Sequence, residues 1–477
     1  MLVGRAKERA LLEHVMKDDR SHFVAVYGRR RVGKTFLVRE TCNGRFTFQH
    51  AGLAEGGLTE QLFAFYASLK EAGFVASGRP GNWLEAFEDL KDLIRQSSEK
   101  RKIIFLDELS WMDTKNCDLL TALEHFWNGW ASARKDIVLI VCASATSWMM
   151  SKVIHNKGGL YNRLTQQIAL RPFTLAECEA FVHSNNLVVT RDQIVQYYMI
   201  FGGVPYYWEQ IQRGYSPSQN IDRIIFAKNA PLRDEFTYLY ASVFRKPDGY
   251  LKIVHTLSRK QSGMTREELI AASGIPNSGD LTKKLEELES CGFIRKYTAF
   301  GMKKKNTVYQ LVDFFTIFYY HFMEAEPTDE HFWSNQNNTP AINTWKGLAF
   351  ERVCLEHVNQ IKKKLGISGV YTQEHSWRCD ANPDHGVFGS QIDLLIVRKD
   401  QVINLCEMKY SESEYIVTEK TDRSIRNKMH DLVEVTGTKY AIYPTLLTTF
   451  GMVENAWSGN IQAVIVEDDL FQEVEQV

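Results

Sequence analysis

Apolar residues are set along this chain in two distinct rhythms. Short unbroken runs stand at FVAVY (Phe23–Tyr27), IIFL (Ile103–Leu106) and IVLIVCA (Ile137–Ala143), each giving way to glycine, acid or hydroxyl residues. Such runs, rich in β-branched residues and without polar alternation, predict strands buried on both faces, as in a parallel sheet. From Pro172 to about Arg245 the spacing turns helical, through LAECEAFVHSNNL and RDQIVQYYMIF. From Tyr250 to Asp313 it predicts a helix, a short helix after Thr265, a Gly-Ile-Pro turn, a third helix and a two-strand hairpin with a basic tip. The aromatic run Val312–Glu326 predicts a helix packing between domains, and the polar stretch Glu326–Asn343 a linker. An amphipathic helix from about Asn343 to Lys364 then leads into a β-meander whose last strands are QIDLLIV and VINLCEM.

These segments divide the 477 residues into an α/β core at 1–171, a helical lid at 172–245, a winged helix-turn-helix at 246–315, a linker helix and loop at 316–342 and an α/β terminal domain at 343–477. No run approaches the roughly 18–20 apolar residues of a membrane span, and the start lacks a secretory pattern. Eight cysteines without a CxxC pair, several inside apolar strands, predict buried free thiols and a cytoplasmic location. Net charge is −1, so any nucleic-acid contact must come from local patches. In the winged helix, Lys303, Lys304 and Lys305 at the hairpin tip, with Arg295 and Lys296 nearby, are candidates for phosphate contact. The candidate recognition helix argues against base readout: Lys283 and Lys284 stand among Glu286, Glu287 and Glu289.

Two places carry chemistry. In FVAVYGRRRVGKTFLVRE the pattern GxxxxGKT lies between an apolar run and an amphipathic helix. Glycines there let main-chain N–H groups and the helix N-terminus cradle phosphates. The stretch Gly28, Arg29, Arg30, Arg31, Val32, Gly33, Lys34, Thr35 and Phe36 is therefore the expected ATP-binding loop, with Lys34 on the β- and γ-phosphates and Thr35 on Mg²⁺. The strand ending in Asp107-Glu108 supplies a second Mg²⁺ group, Asp107, and a water-orienting base, Glu108. Ser144, at the end of the third run, suits γ-phosphate sensing and ordinary turn chemistry equally.

The second place is the terminal domain. Glu351 on its helix, Asp393 opening one strand, and Glu407 and Lys409 closing the next are the groups a hard-cation phosphodiester site needs. Alternation puts Glu407 and Lys409 on one face of their strand. Cys379, Asp380, Asp384 and His385 offer too few soft ligands for zinc and read as a turn.

VGRAKERALLEHV, YGRRRVGKTFLVRE, FLDELSWM and CASATSWM together resemble the archaeal-type ATPases of the AAA/STAND group, a likeness that continues through GGLYNRLTQQIALRPF and FGGVPYYW. The resemblance implies that Gly4 and Arg5 lie by the adenine, that Arg163 acts as an arginine finger or sensor, and that Pro205 of Gly203-Val204-Pro205 approaches the nucleotide from the lid. GLAFE, SQIDLLIV and CEMKYS resemble the PD-(D/E)XK nuclease superfamily, which maps its helix acid to Glu351, its metal-binding Asp to Asp393, and its E-x-K to Glu407 and Lys409. The two resemblances together imply an ATPase whose nucleotide state controls a Mg²⁺-dependent nuclease-like domain acting on DNA, in a setting such as defence against mobile elements. The alternative is a nucleotide-switched DNA- or protein-binding regulator whose terminal domain keeps the fold without cutting. Arg163, if it acts across subunits, implies a homo-oligomer.

Overall fold

The computed structural model describes residues 2–75, 78–156, 158–244, 246–298, 300–301, 307–337 and 339–474. The chain divides into two compact units, 1–172 with 239–246, and 173–238 with 247–477. The lid segment expected at 172–245 is thus shared: its first part groups with the terminal half and its end with the core. Among the described residues no helix is long and apolar enough to cross a membrane. Six of the eight cysteines are buried, and Cys117 and Cys379 are partly so.

The first unit is built on a parallel sheet of β1 (His22–Tyr27), β2 (Phe48–Ala51), β3 (Lys102–Asp107), β4 (Ile137–Ala143) and β5 (Gln166–Ala169), in the spatial order β2-β3-β4-β1-β5. Alternation sends neighbouring residues to opposite faces. Phe23 and Ala25 of β1 join Phe65, Trp83 and Phe126 on one side, while Val24 and Val26 join Leu12, Leu37 and Ile168 on the other. Both faces are covered by helices, which is why β1 and β4 read as unbroken apolar runs.

In the second unit, helices Leu175–Ser184 and Arg191–Phe201 each start on a capping box, Thr174 with Glu177 and Thr190 with Gln193. Three helices (Asp248–Ser258, Arg266–Ser273, Gly279–Ser290) pack with an antiparallel sheet of β6 (Met264–Thr265), β7 (Ile294–Thr298) and β8 (Thr307–Leu311), in the order β6-β8-β7. Lys303, Lys304 and Lys305 lie outside the described residues. The aromatic helix starts at Phe314; Phe315 and Phe318 are buried, and Tyr319 stacks on Phe236 at 3.7 Å. The expected linker is instead packed: Trp333 is buried and its main-chain N–H donates to Asp222 Oδ1 at 2.7 Å.

The terminal sheet holds β9 (Thr372–Cys379), β10 (Ser390–Arg398), β11 (Val402–Lys409), β13 (Ala441–Thr448) and β15 (Ala463–Val466) in the order β15-β13-β11-β10-β9. β12 (Tyr415–Ile416) and β14 (Met452–Val453) form a separate short pair. β9, β10 and β11 run antiparallel, while β11, β13 and β15 run parallel. The expected meander, from YTQEHSWRCD through QIDLLIV and VINLCEM, is formed by the three antiparallel strands β9, β10 and β11. Helix Glu419–Thr436 supplies the crossover that parallel neighbours require. The single helix expected over 343–364 is two, Pro340–Glu356 and Val358–Lys364, broken at His357. His357 is buried, takes the Leu175 N–H at 3.0 Å on Nε2, and bonds the Val353 carbonyl at 2.7 Å through Nδ1.

Candidate functional sites

The phosphate loop leaves β1 at Gly28, where φ is +151° and a Cβ would stand 2.1 Å from the Leu170 carbonyl oxygen. No other residue fits there. Gly33, at φ +90°, caps helix Lys34–Thr41, and Arg31 also takes a left-handed φ of 67°. The loop is therefore held in a conformation most side chains resist, which is how main-chain N–H groups are turned toward one point.

Lys34 is buried, and its Nζ donates to the Gly28 and Arg29 carbonyls and to Ser144 Oγ, all at 3.0 Å. Burial pushes its pKa down, against Glu108 and Asp107, which favour the charged form. Ser144 in turn donates its hydroxyl to Glu108 Oε1 and its main-chain N–H to Glu108 Oε2 at 3.2 Å. Glu108 takes a left-handed φ of 47° at the strand's end. Beside it Thr35 Oγ1 donates to Asp107 Oδ2 at 2.7 Å. Burial raises the Asp107 pKa, opposed by the Thr35 hydrogen bond. A cation there would relieve that carboxylate, so Thr35 and Asp107 are chemically suited to a hard divalent ion.

The other residues of this unit sort differently. Arg5 is buried, and its Nη2 donates to the Arg171 carbonyl at 2.6 Å and more weakly to the Val32 carbonyl at 3.5 Å. It ties the chain start to the phosphate loop. Gly4, beside it, has a left-handed φ of 65°. Phe36 is half exposed and Arg30 partly so. Arg163 is exposed on the turn entering β5, near the start of β1, whereas the phosphate loop lies at the far end of β1. At about 3.3 Å per residue that is roughly 16 Å of strand. Arg163 does not join Lys34, Asp107 and Glu108 in this chain. Pro205 lies in the second unit, buried at the first turn of Pro205–Trp208; a Cβ on the neighbouring Gly203 would fall 1.8 Å from the Phe173 carbonyl oxygen.

In the terminal domain Glu351, Asp393, Glu407 and Lys409 are brought together. β10 pairs with β9 until Ile392 and resumes at Leu395, so Asp393 and Leu394 bulge opposite Ser376 alone. Bulges re-aim side chains, and this one sits at the candidate acid. Burial and the neighbouring Asp393 charge raise Glu351 to a pKa of about 8. Glu407 is buried. Burial alone would raise its pKa, but Lys428 and Lys409 outweigh that and hold it below the usual range. Lys409 Nζ lies 2.8 Å from Glu407 Oε1 and Lys428 Nζ 2.7 Å from Oε2. Lys428, on the crossover helix, was not visible in the sequence pattern, where it is one of many helical lysines.

Among the described residues no three His, Cys, Asp or Glu side chains converge as a metal cage. The Glu351–Asp393 pair nonetheless fits a hard cation in donor type, its mutual repulsion being what a divalent ion would relieve, and Mg²⁺ commonly takes only one or two carboxylates. Among the described residues of the three-strand module, Lys296 pairs with Glu289 at 2.6 Å and Lys284 with Asp280.

Residues 2–211 match the model of a family described as an ATPase domain predominantly from Archaea, so the chain carries an archaeal-type P-loop ATPase domain. Over 437 residues, 91% of either chain, it is 25% identical to an uncharacterised protein of Methanocaldococcus jannaschii. Similar solved structures include a Walker-type ATPase of Pyrococcus abyssi (16% identity, 67% of this chain and 96% of that one, TM-score 0.47). Another is the ORC2 protein of Aeropyrum pernix (14% identity, 75% and 96%, TM-score 0.40).

Proposed function

We propose that this ATPase domain is the switch of a phosphodiester-cleaving enzyme whose effector is the terminal domain, with DNA as its substrate class. What carries the reading is that Asp393, Lys409 and Glu407 all act electrostatically on Glu351, with Asp393 in the bulge and Lys409 paired to Glu407. In the ATPase site Lys34 would trade its carbonyl partners for phosphate oxygens, Thr35 and Asp107 would hold Mg²⁺, and Glu108 would orient the attacking water. Mg²⁺ bound there would screen phosphate charge. In the terminal site Glu351 and Asp393 would hold the cation, which would polarise the scissile phosphate. Lys409 faces the charge that develops on it. The module at 246–315 is a winged helix on this reading.

A second reading, a switch whose terminal domain binds without cutting, is favoured by one observation: both oxygens of Glu407 are occupied by lysines. Purified protein incubated with plasmid DNA and Mg²⁺ or Mn²⁺, with and without ATP, separates the two. We expect metal-dependent nicking that falls at least about 100-fold in Lys409→Ala, as for loss of a charge-stabilising group, and that loses its ATP response in Lys34→Ala. Intact plasmid under every condition, or cutting untouched by Lys409→Ala, rejects the cleaving enzyme.

A further inference from the structure

The three-strand module is joined to the acid site by a continuous path of hydrogen bonds. It starts at the bulge, where Ser376 Oγ donates to the Asp393 main-chain oxygen at 2.6 Å. Arg295 of β7 donates from Nη2 to that same Ser376 Oγ at 3.1 Å and from Nε to Gln310 Oε1 at 2.6 Å. Gln310 Nε2 donates to the Gln261 carbonyl at 2.6 Å, and that carbonyl also accepts from Arg352 Nη2 at 2.7 Å. Arg352 adjoins Glu351 in the chain, so the path runs from one candidate acid to the neighbour of the other. Between them it passes through three residues of the module: Arg295, Gln310 and Gln261.

We propose that Arg295, Ser376 and Arg352 are positioning residues that set the relation of Asp393 to Glu351, so that the module is a built-in brace of the acid site. The proposal rests on the phosphodiesterase reading above. Ser376, Gln310 and Arg352 are all buried, so each bond in the path is shielded from competing water. A simple adhesive contact between two surfaces would not need to end at the main chain of a bulged residue. The adhesive part is separate: Arg378 Nη2 bonds both oxygens of Glu268 at 2.9 Å, and His375 Nδ1 bonds the Thr298 carbonyl at 3.0 Å. Arg295, which the sequence offers as a phosphate contact, is spent on Gln310 and Ser376 instead.

Mn²⁺ binding to the full-length protein without nucleotide, followed by titration calorimetry, tests the brace, with Asp393→Asn defining which binding belongs to this site. We expect Arg295→Gln and Ser376→Ala each to weaken the Asp393-dependent binding by about 10–100-fold, the range for groups that orient metal ligands. Arg295→Lys should restore little, because one ammonium cannot reach Gln310 and Ser376 in the forked geometry of a guanidinium. Leu281→Ala, buried in the same module but off the path, should lower Tm without weakening Mn²⁺. Wild-type affinity in both Arg295→Gln and Ser376→Ala, or equal weakening by Leu281→Ala, overturns the brace alone. Absence of Asp393-dependent binding in the wild type overturns the phosphodiesterase reading and the brace with it.

Discussion

Ser144 sits between Lys34 and Glu108, accepting from the first and donating to the second, so on the proposed function it links the group assigned to phosphate to the group assigned to water. Truncating it should leave phosphate binding nearly intact and disturb the water. For Ser144→Ala we expect kcat for ATP hydrolysis to fall on the order of tenfold, about 1.4 kcal/mol, with nucleotide Kd within about threefold. Steady-state turnover beside equilibrium nucleotide titration reads the two apart, and equal losses in both would mean that Ser144 serves binding instead. Lys34, Thr35, Asp107 and Glu108 were legible from sequence because each lies in a local pattern tied to one strand end. Ser144 was half legible, its place at a strand terminus being visible and its partners not. Lys428 and Arg295 were illegible in their roles. What distinguishes them is a carboxylate or hydroxyl reached across 21 and 81 positions of chain.

Elements were read most surely where periodicity was long and least surely where tertiary contacts cut it. The helix expected over 343–364 is interrupted because His357 turns out of register to cap helix Leu175–Ser184 at Leu175. No local signal marks such a break, since Val-Cys-Leu-Glu-His-Val-Asn is acceptable helix throughout. Likewise the bulge at Asp393 is set by Ser376 on the neighbouring strand and leaves no mark in QIDLLIV. The cap has a consequence in pH. Burial lowers His357 to about 4, below the ordinary value of 6.5, so the unfolded chain binds the proton more readily. Its contribution is therefore fully present above about 6.5 and is lost as pH falls toward 4. Urea midpoints taken across that interval should drop on acidification in the wild type and drop less in His357→Gln; parallel curves would reject His357 as the cause.

At the scale of the molecule, the order of segments in the chain and the composition of its units disagree. Residues 239–246 belong with the first unit although the chain has meanwhile built helices of the second. Their Leu239, Tyr240 and Phe244 are buried. A fragment ending at 172 should accordingly melt lower than the same unit within the full chain, by several degrees for each kcal/mol lost in a domain of this size. Circular dichroism melts of the fragment and of the intact protein, each with and without ATP, measure it; an unchanged nucleotide-shifted transition would show the segment to be dispensable. The same discontinuity matters before the chain is finished. At roughly 5–20 residues per second, on the order of 4–15 s separate the emergence of residue 172 from that of residue 246. For that interval the nascent sheet, with its phosphate loop already made, lacks the last piece of its own unit. Its completion is timed by the ribosome's passage through the intervening helices.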